Sequence, residues 1–165
     1  MKKVLLSIAL FTIVQFANAQ AYSGKGDTKF QVGMNVQKGG TGITSTADFG
    51  LGQNMSFGFL ATYLLDADGA GELDARFQDR MDAKLRFNAN IGDVIGLTPQ
   101  LDIYPGLHLG TRNFGGHLGF RYFFTNGFGL YTEASVPIAK YDGNVVGREH
   151  YNNQFMFHFG ASFNL

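Results

Sequence analysis

Eight ionisable side chains carry the chemistry that this chain advertises: Lys29, Asp48, Asp82, Lys84, Arg86, Asp102, Arg121 and Glu133. All eight fall on the polar side of alternating segments. Four cations against four anions on a shared face favour ion pairing over a pore selective for one sign of charge. A buried charge without a partner costs several kcal/mol, so the set must pair or meet water. His108, His117 and His158 fall on the same side, and strands carrying His108 and His117 would be neighbours. Hydrogen-bonded interior histidines are the favoured reading, and a metal or proton-sensitive site is the sharper one. His150 lies apart, with Asp142, Arg148 and Glu149. No nucleophile–base spacing, metal-spaced Cys/His cluster or phosphate-binding glycine motif is visible, so neither enzyme activity nor a cofactor is expected. Asp66, Asp68, Glu72 and Asp74, with Gly69 and Gly71, make an acidic stretch. It lacks the spacing and terminal Glu of an EF-hand. A solvated loop is expected there, and a weak divalent-ion site bridging to anionic lipid is a secondary idea.

The elements that would position these residues are strands. Residues 154–165 read Q-F-M-F-H-F-G-A-S-F-N-L. Phe155, Phe157, Phe159, Ala161, Phe163 and Leu165 share one side, and Gln154, Met156, His158, Gly160, Ser162 and Asn164 share the other. Period-2 alternation is the mark of a strand with one apolar face. The same pattern recurs over residues 29–37, 42–51, 54–65, 81–91, 99–109, 114–124 and 128–139, giving eight segments. Each approaches the roughly 9–11 residues that a tilted strand needs to cross a bilayer. Gly52-Gln53, residues 92–98 and Thr125-Asn126-Gly127 form short turns at one end, Asn-Gly being a strong hairpin signal. The other end holds the two longest connections, residues 66–80 and 141–153. Pro105 and Pro137 interrupt two segments, where bulges or early strand ends are expected. Leu73, Phe77, Met81 and Leu85 recur at i+4, and Glu72-Arg76 is a favourable helical pair, so a short helix before the fourth strand is a competing expectation.

Bulk properties bound the rest. Lys2 and Lys3, an apolar run over residues 4–14 and Ala17-Asn18-Ala19 have the form of a cleaved signal peptide over residues 1–19. One domain over residues 20–165 follows. Removing two lysines leaves 11 cations against 13 acids, a charge of −2, which argues against a nucleic-acid partner. The absence of Cys excludes disulfides and a lipoprotein anchor. All 23 Gly and 15 of the 17 Phe follow residue 19, which suits strands with small residues on one face and aromatics on the other.

Period 2 alone does not say which face points outward, because a soluble lipocalin-like barrel also alternates. Three features choose. The polar face is rich in glycine (Gly33, Gly50, Gly58, Gly106, Gly119, Gly129, Gly160), which suits the narrow interior of an eight-stranded barrel. The apolar side chains are too bulky to fill that interior. Aromatics gather towards strand ends: Phe30, Phe49, Phe57, Phe124, Phe128 and Phe163 at the short-turn end, and Tyr63, Phe114, Tyr141 and Phe155 at the other. Two such girdles are what a bilayer selects for.

The final strand resembles the closing strand of bacterial outer-membrane β-barrels, and the segments together are similar to small OmpA- or OmpX-type barrels. The runs T-P-Q-L-D-I-Y-P-G from Thr98 and F-G-G-H-L-G-F-R-Y-F from Phe114 also resemble an uncharacterised group of small outer-membrane barrels from Bacteroidota. The resemblance implies an outer-membrane location, lipid contacts, and a C-terminal strand read by the barrel insertion machinery. It assigns no residue a role. The expected fold is all-β, an eight-stranded antiparallel up-and-down transmembrane β-barrel. The leading expectation for function is a structural or surface-interaction protein with a side-chain-filled lumen, whose loops touch lipid or an extracellular partner. A narrow channel or lateral conduit, a soluble lipocalin-like binder, and a rim enzyme of the kind some small barrels are stand as alternatives.

Overall fold

The computed structural model describes residues 19–67, 77–141 and 150–165. Within them the chain forms β1 (Thr28–Gln37), β2 (Gly40–Gly50), β3 (Met55–Ala67), a one-turn helix α1 (Phe77–Arg80), β4 (Met81–Ala89), β5 (Leu101–Gly110), β6 (Asn113–Phe123), β7 (Phe128–Lys140) and β8 (Met156–Asn164). Each strand pairs antiparallel with its sequence neighbours, and β1 pairs with β8, so the sheet closes as an up-and-down barrel. Closure leaves no strand as a free edge of the sheet.

The alternation decides the two faces. In β6 the burial reads strictly in and out: Asn113, Gly115, His117, Gly119, Arg121 and Phe123 are buried, while Leu118, Phe120 and Tyr122 are exposed. In β1, Phe30, Val32, Met34 and Val36 face outward while Lys29, Gln31, Asn35 and Gln37 are buried. The barrel is therefore inverted relative to a globular core. Its interior is polar and charged, and its outer wall is apolar. Leu60 and Leu64 in β3, with Tyr104, Phe123 and Tyr131, are among the few apolar or aromatic side chains inside.

Strand bounds shift by a residue or two from those expected. Two of the shifts adjoin one connection: the fifth strand begins at Leu101 rather than Pro99, and β4 ends at Ala89 rather than Ile91. The connection at the nominal short-turn end therefore covers residues 90–100, because Leu101 N–H bonds back to the Thr98 carbonyl and Leu97 N–H to Gly92. The last strand begins at Met156, after a turn over residues 150–153. Both prolines leave a mark. At Pro137 the β6–β7 register slips, so that Gly115 faces Pro137 and Phe114 faces Ala139. Strand β5 runs through Pro105, paired to Leu118 on β6, yet its pairing with β4 stops at Gly106. Continuing that register would set Pro105 against Ala89, where a proline has no N–H to donate. Among the described residues the helix before β4 covers Phe77–Arg80, and Leu73, Glu72 and Arg76 lie outside them.

Both mouths are covered. At the long-loop end Tyr151, Asn152 and Asn153 are buried. Asn152 exchanges hydrogen bonds with Gln37, its N–H to Oε1 at 3.0 Å and its Oδ1 from Nε2 at 3.2 Å. At the other end residues 19–27 fold back beneath the barrel. Ala21 N–H donates to the Pro99 carbonyl at 2.7 Å, and Gly26 and Asp27 pair with Gly50.

Candidate functional site

The interior is the only place where the expected charges meet, and local sequence explains how. Positions i and i+2 on one strand face inward together, so Asp82, Lys84, Arg86 and Asn88 form a column on β4. Neighbouring columns supply the counter-charges. Arg86 Nη2 donates to Glu133 Oε2 at 2.7 Å across the barrel, and its Nε lies 3.3 Å from Asp48 Oδ1. Arg121 donates through Nε and Nη2 to Asp102 Oδ2 at 3.1 and 2.8 Å, and its Nη1 stands 3.9 Å from Asp48 Oδ2. Asp48 thus sits between two guanidinium groups, although neither contact has hydrogen-bond geometry. Tyr104 lies under both cations, 5.6 Å from the Arg86 carbon and 4.7 Å from that of Arg121. Arg86, Arg121, Asp48 and Glu133 are all at most 2% exposed.

The two remaining cations sit nearer the mouths. Lys84 Nζ is 3.7 Å from Asp82 Oδ2, while Asp82 Oδ1 accepts from Thr111 Oγ1 at 2.6 Å. Lys29 pairs with Asp27 at 2.5 Å and donates to Asn164 Oδ1 at 2.9 Å. Asp27 was not among the expected charges. It makes the interior set four cations against five acids, and it precedes the first strand, so alternation could not have flagged it.

The histidines are threaded into the same network. The rings of His108 and His117 stack at 5.8 Å. His117 Nε2 lies 2.7 Å from Asn88 Oδ1, which also accepts from Arg86 Nε at 3.2 Å. An oxygen can only accept, so His117 Nε2 carries the proton. Asn113 Nδ2 donates to the Asn152 carbonyl and to Asn153 Oδ1, so Asn113 Oδ1 is the acceptor facing His108 Nε2 at 3.1 Å. His108 Nε2 therefore donates to Asn113, and the nearby Lys84 Nζ at 3.4 Å is left to Asp82. His158, a cross-strand neighbour of both Glu133 and Asn35, has no hydrogen bond at either ring nitrogen. Among the described residues no group of three His, Cys, Asp or Glu is arranged to hold a metal ion. His150 is exposed on the long-loop end, its ring 4.4 Å from that of Tyr151. Asp68, Glu72, Asp74, Asp142, Arg148 and Glu149 lie outside the described residues, so the acidic stretch is represented only by Asp66.

Glycine makes room for these side chains. A Cβ on Gly119 would strike the Tyr104 ring, one on Gly106 the His117 ring, and one on Gly58 the Asp48 carboxylate. In each case the bulky group comes from the paired strand: Tyr104 faces Gly119, Gly106 faces His117 and Asp48 faces Gly58. Large and small residues alternate around the wall, and the gap between Leu60, Lys84, Arg86, His108, His117, Glu133 and Ser135 is too small to admit water. At this level the interior is a plug of paired charges.

The sequence model described as a family of unknown function, DUF6646, matches residues 11–165. Comparison with curated proteins finds no match.

Proposed function

We propose a role for this chain from the premise that it belongs to the DUF6646 family, a family of unknown function: it is an integral outer-membrane barrel of structural or surface-interaction type with a side-chain-filled lumen. One observation carries the reading, the inverted distribution of polarity. Phe59, Leu107, Leu109, Leu130 and Val136 stand 46–56% exposed on the wall, while Arg86, Arg121, Lys29 and Glu133 are buried inside. Water would penalise both halves of that arrangement, whereas a hydrocarbon surround favours the outer one. A closed barrel also satisfies its wall hydrogen bonds internally save at the seam beside Pro105, as a lipid environment favours. The aromatic rings at the short-turn end support it. Tyr122, Phe124, Phe128 and Phe163 follow one another at 5.2–6.4 Å, and Phe49 and Phe57 continue the belt on the far side at 5.4 Å. Lipid is then the main partner, and the barrel insertion machinery the route of entry. Loops at the long-loop end are the surface offered to an extracellular partner. The paired interior favours a barrel without ion conductance. Planar-bilayer recording on the refolded chain tests this, with no steps above baseline expected and stable unitary currents counting against the plug.

A lateral conduit is the second reading, and one seam favours it. Strand β4 pairs with β5 over five residues only, Lys84 to Asn88 against Gly110 to Gly106, and the ladder resumes at Ile91 N–H to the Ile103 carbonyl beyond Pro105. An outward groove of about 270 Å³ lies on this seam, lined by Phe57, Leu85, Phe87, Leu107, Leu109 and Phe114. Cross-linking Leu85→Cys to Leu109→Cys, a register pair, would lock the seam. Loss of apolar-solute uptake on oxidation, restored by reduction, supports a conduit, and unchanged uptake removes it.

A further inference from the structure

The segment that precedes β1 does more than lead into the barrel. Ala21 is 1% exposed and packs on Phe123, an inward residue at the short-turn end of β6. Tyr22 is 6% exposed, and its hydroxyl lies 2.6 Å from the Met55 carbonyl and 2.9 Å from the Gly52 carbonyl. One face of its ring is 5.9 Å from the Arg121 guanidinium. Ser23 Oγ and Lys29 Nζ both donate to Asp27 Oδ1. The chain reverses at Gly24 and Gly26, with φ of +93° and +86°, and Asp27 N–H closes the turn onto the Gly24 carbonyl at 3.1 Å. Those backbone angles are accessible to glycine and strained for other residues. With Ala21 bonded to Pro99, the segment is tied to the β2–β3 turn, the β4–β5 connection and the end of β2 at once.

We propose that residues 20–27 are a latched strap that shuts the short-turn mouth, and that its release exposes the lower lumen to solvent while the Arg86–Glu133 plug above stays closed. Tyr22 is the latch. Its ring fills the mouth, and its hydroxyl holds the turn that links β2 to β3. The groups the strap covers are Phe123, and through it the level of Lys29, Gln31 and Ser162. Lys29 Nζ is 5.3 Å from the Phe123 ring, and Ser162 is the register partner of both Gln31 and Gly129. Gly129 in turn lies beneath the Phe123 ring, 3.0 Å from where a Cβ would stand. The inference is independent of what surrounds the outer wall, because it concerns one mouth of the barrel and its interior.

The chain contains no cysteine, so single thiols report cleanly. Ser162→Cys places a thiol at the lower level, where Ser162 is fully buried and its hydroxyl has no hydrogen bond. Ser135→Cys places one near the plug, at a residue 2% exposed. The full chain, folded in detergent micelles, is treated with a small charged methanethiosulfonate reagent. The thiol at 162 should resist labelling in the otherwise unaltered chain. It should label at least ten times faster once Tyr22→Ala is added, while the thiol at 135 stays protected in both backgrounds. That protection separates an opened mouth from an unfolded barrel. Should Tyr22→Ala label both thiols, Tyr22→Phe, which keeps the ring and loses the hydroxyl, is read instead, and it must raise labelling at 162 alone. A thiol at 162 that reacts quickly with the strap intact overturns the proposal. So does one that stays protected when Tyr22→Ala folds normally, or one that Tyr22→Phe leaves unchanged where Tyr22→Ala unfolds.

Discussion

The Tyr104 ring occupies the space above Gly119 on the paired strand, and the contact shows what the inner face demands of each residue. Gly119→Ala would drive a methyl into the ring, and overpacking of this kind costs about 1–3 kcal/mol. The same change should be far milder combined with Tyr104→Ala, and urea midpoints of the two single variants and the double variant check this. Charge obeys a stricter rule. Arg86 is the direct partner of Glu133 and faces Asp48, so Arg86→Met leaves Glu133 without its cation, and Asp48 with only Arg121, which already holds Asp102. Breaking a buried pair from one side costs about 3–5 kcal/mol, whereas replacing both partners by apolar groups is often neutral. Arg86→Met should therefore lower the urea midpoint sharply, and Arg86→Met with Glu133→Leu should recover part of the loss. Tyr22 adds a pH dependence. Burial first, and Asp27 second, push its hydroxyl above the ordinary value of 10. A raised folded value means that the stabilisation is complete below the unfolded value and fades as pH rises through the folded one. Below pH 10 the strap stays latched. Above it, stability should fall more steeply in the natural chain than in Tyr22→Phe, a difference visible by comparing thermal midpoints at pH 9 and at the highest pH the barrel tolerates.

Strands were the most legible elements. Eight alternating segments emerged because burial in a closed wall imposes a strict period of two, and both proline positions flagged departures that the register carries as a slip at Pro137 and a pairing gap beside Pro105. Less was readable where the backbone leaves that period. Nothing in the sequence marks the strap over residues 20–27, since Ser23, Gly24, Lys25 and Gly26 carry no apolar pattern. Its burial rests on Ala21, Tyr22 and two glycine turns, and so does the position of Asp27. The connection over residues 90–100 was underestimated because Asn90 is a buried inward residue that continues the column of β4 without strand pairing to β5. The eight lumen charges could be placed on one face by counting. Their partners could not, since register decides that Arg121 meets Asp102 and Arg86 reaches Glu133. The wall offers its own test. Phe59, 56% exposed at mid-strand, faces outward. Phe59→Arg should cost about 2–4 kcal/mol in a lipid-embedded barrel. Refolding yield into phospholipid vesicles should drop, whereas a barrel surrounded by water would tolerate the change or gain solubility.

For the molecule as a whole, three layers of closure stack along one axis: the strap and Tyr22 at one mouth, the Arg86–Glu133–Asp48–Arg121 plug in the middle, and the Asn113–Asn152–Gln37 network at the other mouth. A protein built this way spends its polar groups on holding itself shut, and leaves its apolar groups on the outside. The central claim is that a bilayer is what meets that outside. Its most direct test is to separate membranes from soluble material in cells producing the chain, extract the membranes in mild detergent, and compare gel mobility before and after boiling. The account predicts a membrane-bound protein whose compact unboiled form migrates apart from the boiled one. A soluble protein with a single heat-insensitive band would contradict it.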